Sequence, residues 1–240
     1  MKGRAMDDIN APPLNPLPPV VWLLALPMIA MEVVVSAGAG GLVGGPAAIG
    51  WRAEAMQTLA FAPDYLRQMW ALQQFPAELL WRFFSYPFVH LDMTHALFVV
   101  VILLALGKYV GAVYAWWAVM ITYFVAAACG ALAYTAVPLA HAALIGGYPP
   151  DYGLIGAYTF LLWVKLVGGQ GNRLQAFRLI GFLLGFQVIF AIGGIAYYGV
   201  ERGTTWEWVA DLAGFVSGFV VAFVVSPGGW ARVLAKLRGD

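Results

Sequence analysis

Long apolar runs separated by short polar breaks dominate the chain. They run roughly from Pro19 to Ala37, Phe88 to Gly107, Val110 to Val137, Gly153 to Val167, Ala176 to Tyr198 and Trp206 to Val225. A helix needs about 20 apolar residues to cross the hydrocarbon of a bilayer, and most of these runs reach that length. None shows the two-residue alternation of a half-buried strand, so a membrane barrel does not fit either. The fourth run is short, which predicts a helix that begins below the membrane surface. The pattern therefore predicts an all-α polytopic membrane protein with six transmembrane helices.

The segment between the first two runs reads differently. A glycine-rich stretch, Gly38 to Gly50, leads into Trp51 to Arg82, where Arg52, Glu54, Asp64, Arg67, Glu78 and Arg82 are mixed with aromatic residues. Such a segment cannot span, but it can lie at the interface, where rings and charges are both tolerated. The expected organisation is a Pro-rich cytoplasmic tail over 1–18, a membrane domain over 19–226 with an interfacial first loop over 38–87, and a basic cytoplasmic tail over 227–240. The N-terminus is not expected to be a cleaved signal peptide, because Asp7, Asp8 and several prolines precede the first apolar run.

Composition narrows the class further. Of 240 residues, 62% are hydrophobic and only 10% are charged. A soluble chain carries about a quarter charged residues, so this one cannot cover a water-exposed surface in the usual way. The net charge of +1 leaves no basic patch for nucleic acid. Cys129 is the lone cysteine, which rules out an intrachain disulfide. With both ends inside, Lys2, Arg4, Lys108, Lys165, Arg173, Arg178, Arg232, Lys236 and Arg238 fall on the cytoplasmic side. Arg52, Arg67, Arg82 and Arg202 fall outside. That bias predicts an N-in, C-in orientation.

Ionisable groups inside a bilayer are costly and each needs a reason. Glu32 sits near the end of the first run and either pairs within the bundle or reaches the outer interface. Asp92 stands where an acid caps a helix. His90 and His95 point about 140° apart on an ideal helix, which is not the i,i+4 spacing of a metal pair. Asp211 lies inside the sixth run, buried in protein or lining a wet cavity, with a single interhelical hydrogen bond as its plainest role. Gly153-Leu154-Ile155-Gly156-Ala157 opens the fourth run, and Gly214 and Gly218 form a GxxxG in the sixth. Small residues let helix backbones approach closely, so the fourth and sixth spans are expected to pack together.

Taken in order along the chain, these pieces resemble the rhomboid family of intramembrane serine proteases. Trp81-Arg82 in the first loop is similar to that family's Trp-Arg motif, followed by His90-xxxx-His95 at the approach to helix two. Gly153-Leu154-Ile155-Gly156-Ala157 stands against the family's Gly-x-Ser-Gly-Ala. Ala210-Asp211-Leu212-Ala213-Gly214-xxx-Gly218 stands against its Ala-His-x-x-Gly-xxx-Gly. The resemblance implies a six-helix rhomboid-like bundle from about Leu17 to Val225. It assigns Trp81, Arg82, His90, Gly153, Gly156, Gly214 and Gly218 to structure and packing.

The departures from the family pattern fall on the chemistry. Ile155 occupies the nucleophilic serine position, Asp211 the general-base histidine position and Val99 the position of an oxyanion-hole asparagine, while His95 is kept. Acyl transfer needs a nucleophile beside a base, and Ile155 supplies no oxygen or sulfur. Loss of an oxyanion donor alone costs about 10²–10³ in rate. Thr159, one turn deeper than Ile155, and Thr94, beside His95, are the hydroxyls that could be proposed as substitutes.

The chain is therefore expected to be proteolytically inactive, with no catalytic residues, no cofactor and no metal. The family fold would bring His95 and Asp211 together as a pair. As a rhomboid-like pseudoprotease it would bind transmembrane segments of other membrane proteins, laterally between spans two and five, in a bacterial inner membrane. The alternatives are an active rhomboid serine-type endopeptidase or a small transporter using Glu32, Asp211 and the glycine-rich loop.

Overall fold

A computed structural model describes residues 17–167, 172–198 and 206–226. They are helical throughout apart from connections and one isolated bridge, Phe61 to Leu144. The six long helices are α1 (Pro19–Ala39), α6 (Met93–Gly111), α7 (Trp116–Thr135), α8 (Tyr148–Val167), α9 (Arg178–Tyr198) and α10 (Glu207–Val225). Between α1 and α6 lie four short helices, α2 (Trp51–Leu59), α3 (Pro63–Leu72), α4 (Ala77–Leu80) and α5 (Arg82–Ser85). Of the six long helices, all but α8 form or overlap a segment long and apolar enough to cross a membrane. The chain is thus an all-α polytopic membrane protein. The tails over 1–16 and 227–240 lie outside the described residues.

Three boundaries differ from expectation for physical reasons. The second helix begins at Met93 rather than Phe88, because Asp92 caps it by accepting from the backbone N–H of His95 at 2.8 Å. The third begins at Trp116, since the chain must turn between Gly111 and Ala115. The fourth begins at Tyr148, five residues early. Pro149 and Pro150 fall in its first turn, where the N–H groups have no helical acceptor and proline costs nothing.

Helix α8 is the centre of the bundle and packs against α6, α7 and α10. Leu154, Ile155, Ala157 and Phe160 are buried with Tyr123 of α7, Leu103 of α6 and Phe215 of α10. The outward residues are apolar too: Leu23 and Leu26 on α1, Leu97 and Phe98 on α6, and Phe182 and Phe190 on α9 are all more than half exposed. An apolar rim around an apolar core is the pattern of a helix bundle solvated by lipid. Helix α9 packs least, with 12% of its span buried against 33–44% for the other four spans.

Two arginines help to fasten the first loop. Glu32 and Ser36 of α1 hold Arg52 of α2. Arg67 of α3 donates to the carbonyls of Thr135 at 3.0 Å, Val137 at 2.6 Å and Ala140 at 2.8 Å. It thereby satisfies the carbonyls left open where α7 ends. His141 bonds both oxygens of Asp64 at 3.1 Å, and this more than the adjacent Arg67 holds the Asp64 carboxyl below the ordinary range. A lowered carboxyl stabilises above its unfolded pKa and loses that contribution as acid titrates through the folded value. The Asp64–His141 pair is more than half exposed, so its contribution is small. Arg67→Ala is the informative change. It is expected to destabilise the connection between α7 and α8 by about 2 kcal/mol, read as faster proteolytic nicking between residues 136 and 147. Unchanged nicking would show that the carbonyls are satisfied without it.

Candidate functional site

The site is built where α6, α8 and α10 all begin. Gly146, with a φ of 85°, turns the chain into α8. A side chain there would collide with the His95 ring, so glycine also makes room for the imidazole. That ring stacks on Tyr148 at 5.0 Å with 18° between planes, and meets His90 edge-on at 5.3 Å. Its Nδ1 accepts from the Leu91 N–H at 3.4 Å, a long bond, and Nε2 has no partner.

Ile155 lies one helical turn beyond Asp151 and is 1% exposed, packed into the main core. Val99 is fully buried and fills the space beside Gly147. Thr159, a turn deeper than Ile155, is fully buried with an unpartnered hydroxyl. Thr94 is exposed at the start of α6. The structure thus puts hydrocarbon at two of the named positions.

Asp211 and His95 line the same cavity, of about 250 Å³, together with Leu91, Tyr148 and Glu207. The expected pair between them is not formed. Gln187, from α9, donates to Oδ2 of Asp211 at 2.5 Å, while His95 is taken up by Tyr148 and the Leu91 N–H. Packing gave each group another partner first. Gln187 is the one polar side chain between Phe186 and Val188 in an otherwise apolar run, and a lone amide there is a readable signal for an interhelical bond.

The remaining residues are structural in their contacts. Arg82 donates to the Ala60 carbonyl at 3.1 Å and lies 5.5 Å over the Tyr65 ring, while Trp81 is 44% exposed. His90 is 2% exposed with neither ring nitrogen bonded. Burial, and then the neighbouring His95, push its pKa down to about 4, so the ring is neutral. Gly153, Gly156, Gly214 and Gly218 bring the backbones of α8 and α10 into direct contact.

Asp151 was invisible in the sequence. It looks like a turn residue after two prolines, yet it sits in the first turn of α8, fully buried, with both oxygens unpartnered. The Tyr123 hydroxyl is buried and unpartnered as well. Among the described residues no group of three His, Cys, Asp or Glu is placed to hold a metal ion.

The bundle and its polar end define a polytopic helical membrane protein with a small acid-lined cavity at one end of a glycine-packed helix pair. A family model for the rhomboid domain matches residues 77–228, more than half of the chain. The chain belongs to the rhomboid family. No curated protein matches it in sequence.

Proposed function

We propose that this rhomboid-like membrane protein is proteolytically inactive and binds transmembrane segments of other membrane proteins. The observation that carries the reading is the pairing of a kept scaffold with lost chemistry. The α8–α10 glycine contact is intact, while the side chain aligned with the family's nucleophile is the buried hydrocarbon of Ile155. Asp211, aligned with the general base, is bonded to Gln187, and no hydroxyl or thiol among the described residues is hydrogen-bonded to it. A base without a nucleophile does no acyl transfer.

The lightly packed α9 favours a lateral partner. Its exposed Phe182, Phe186 and Phe190 form a stripe that a second apolar helix could cover in place of lipid. The reading extends to the inner membrane of a bacterium with both ends in the cytoplasm, which the bias of basic residues supports.

The test is cleavage of a panel of transmembrane substrates in liposomes. Wild type is compared with an Ile155→Ser, Asp211→His, Val99→Asn variant, and both are cross-linked to the same substrates. Wild type is expected to cross-link without cutting. Specific cleavage by wild type would overturn the reading, and Thr94 and Thr159 would be the next residues to replace.

A further inference from the structure

Helices α1 and α6 lie side by side without packing evenly. At one end they touch. A Cβ at Gly107 would lie 2.8 Å from a Val21 methyl, and one at Gly111 would lie 2.8 Å from the Pro18 ring. Toward the other end they part, and a groove of about 230 Å³ opens between them. Ile29, Glu32 and Val33 of α1 form one wall, and Met93, Ala96, Leu97 and Val100 of α6 form the other. Each set has the spacing of a single helix face. The groove therefore runs along the helices, and the reach from Met93 to Val100 is about 10 Å.

Two features set its shape. Ala96 is buried in the middle of the α6 wall, and its methyl is too short to close the gap. At the open end Arg52 fixes the separation, because it bonds both Glu32 of α1 and the His90 carbonyl just before α6. Glu32 turns its two carboxyl oxygens to Arg52 and Ser36, so its hydrocarbon stem and not its charge meets the groove. Ala96 and Val100 make a buried floor, while Val33, Met93 and Leu97 on the rim are more than half exposed. The groove is thus apolar, and it opens on the apolar face that a bilayer would cover.

We propose that this groove binds one acyl chain of a membrane phospholipid. An apolar cavity of comparable size stays dry and takes an apolar guest. Left empty, its lining would lose dispersion contacts. The apolar molecule at hand beside a membrane helix is the lipid chain. Such a chain is thin and flexible, and it lies along the bilayer normal as the groove does. A second helix is about 10–12 Å across and could not enter. A metal ion would find one carboxylate, already paired. The groove shares no lining residue with the cavity of His95 and Asp211, so the proposal does not depend on the helix-binding reading.

Two measurements on the purified full-length protein test it. The first is photo-cross-linking in nanodiscs by a phosphatidylcholine with a diazirine at mid-chain, mapped by peptide mass. A Leu/Ala helix peptide with the same reactive group is run in parallel. The second is the melting shift in detergent on adding unlabelled phosphatidylcholine or glycerophosphocholine, which has the head group and no chains. Wild type is compared with Ala96→Val and Ala96→Leu, which fill the groove stepwise. Gly185→Leu on α9 is the control, since nothing lies within 4 Å of a Cβ there.

Lipid cross-links are expected to concentrate on residues 29–33 and 93–100. Phosphatidylcholine should raise the melting temperature, and glycerophosphocholine should not. Filling the groove should raise the melting temperature without lipid, abolish the lipid shift and clear the cross-links. Gly185→Leu should do none of these. The wild-type map and Ala96→Val decide the matter even where Ala96→Leu does not fold. Cross-links spread evenly over the lipid-facing helices, unchanged in Ala96→Val, would mean ordinary boundary lipid and overturn the site. An equal shift with glycerophosphocholine would overturn the chain as the ligand. Labelling of the groove by the peptide and not by the lipid would assign it to a partner helix and overturn the proposal.

Discussion

Gly218→Leu is expected to prevent the bundle from assembling. A Cβ at Gly218 would fall on the Gly153 carbonyl of α8, whose carbonyl carbon would lie 2.6 Å away. The contact is reciprocal. A Cβ at Gly156 would lie 2.6 Å from the backbone nitrogen of Phe219, and one at Gly214 would lie 2.9 Å from the Pro149 carbonyl carbon. Every obstacle is main chain, so no side chain can rotate out of the way. Helices α8 and α10 would have to separate along their whole seam.

Overpacking a core costs about 1–3 kcal/mol when side chains can adjust. Here they cannot, and a loss of at least about 3 kcal/mol follows. Unfolding of the purified protein in bicelles, read by tryptophan fluorescence, measures it. Gly185→Leu is the control, because nothing lies within 4 Å of a Cβ there and the side chain would meet only lipid. Equal stability of the two variants would mean that α8 and α10 do not pack backbone to backbone.

Arg52→Ala is the second large effect. Arg52 donates to Glu32 through both terminal nitrogens, at 2.9 Å and 2.6 Å. It also reaches the His90 carbonyl at 3.0 Å and the Ser36 hydroxyl at 3.0 Å, and Ser36 itself donates to Glu32 at 2.7 Å. One guanidinium thus joins α1, α2 and the approach to α6. The Glu32 side chain is only 8% exposed.

Removing the arginine leaves a buried carboxyl with a single hydroxyl donor. Breaking one partner of such a pair costs about 3–5 kcal/mol, whereas replacing both by apolar groups can be neutral. Arg52→Ala should therefore lower the melting temperature sharply, and a Glu32→Met, Arg52→Met double variant should recover most of the loss. A double variant as unstable as Arg52→Ala would mean that the ion pair itself, and not the stranded carboxyl, supplies the stability.

The reading of Glu32 shows how far residues go without coordinates. An acid near the end of an apolar run had to pair or reach an interface, and it pairs. Its partner, twenty residues on, carries no local signal, because the pairing depends on how the glycine-rich stretch folds back. The glycines of the fourth and sixth spans did identify two helices that touch, since close backbone approach is a property of the residue type. Asp151 was hidden because two prolines read as a break. At the first turn of a helix they break nothing.

Hydrophobic length and composition were enough to establish the class of protein and its long helices, because a bilayer imposes a one-dimensional requirement on each span. The motifs were enough to indicate the family. Which polar groups meet was settled by packing in three dimensions. Gln187 from α9 reaches Asp211, Tyr148 takes the face of His95, and Asp211 keeps one oxygen toward a cavity it shares with Glu207. A hydrogen bond needs its partners within about 3 Å, and residues 24 or more apart in the chain reach that distance only after the helices have docked.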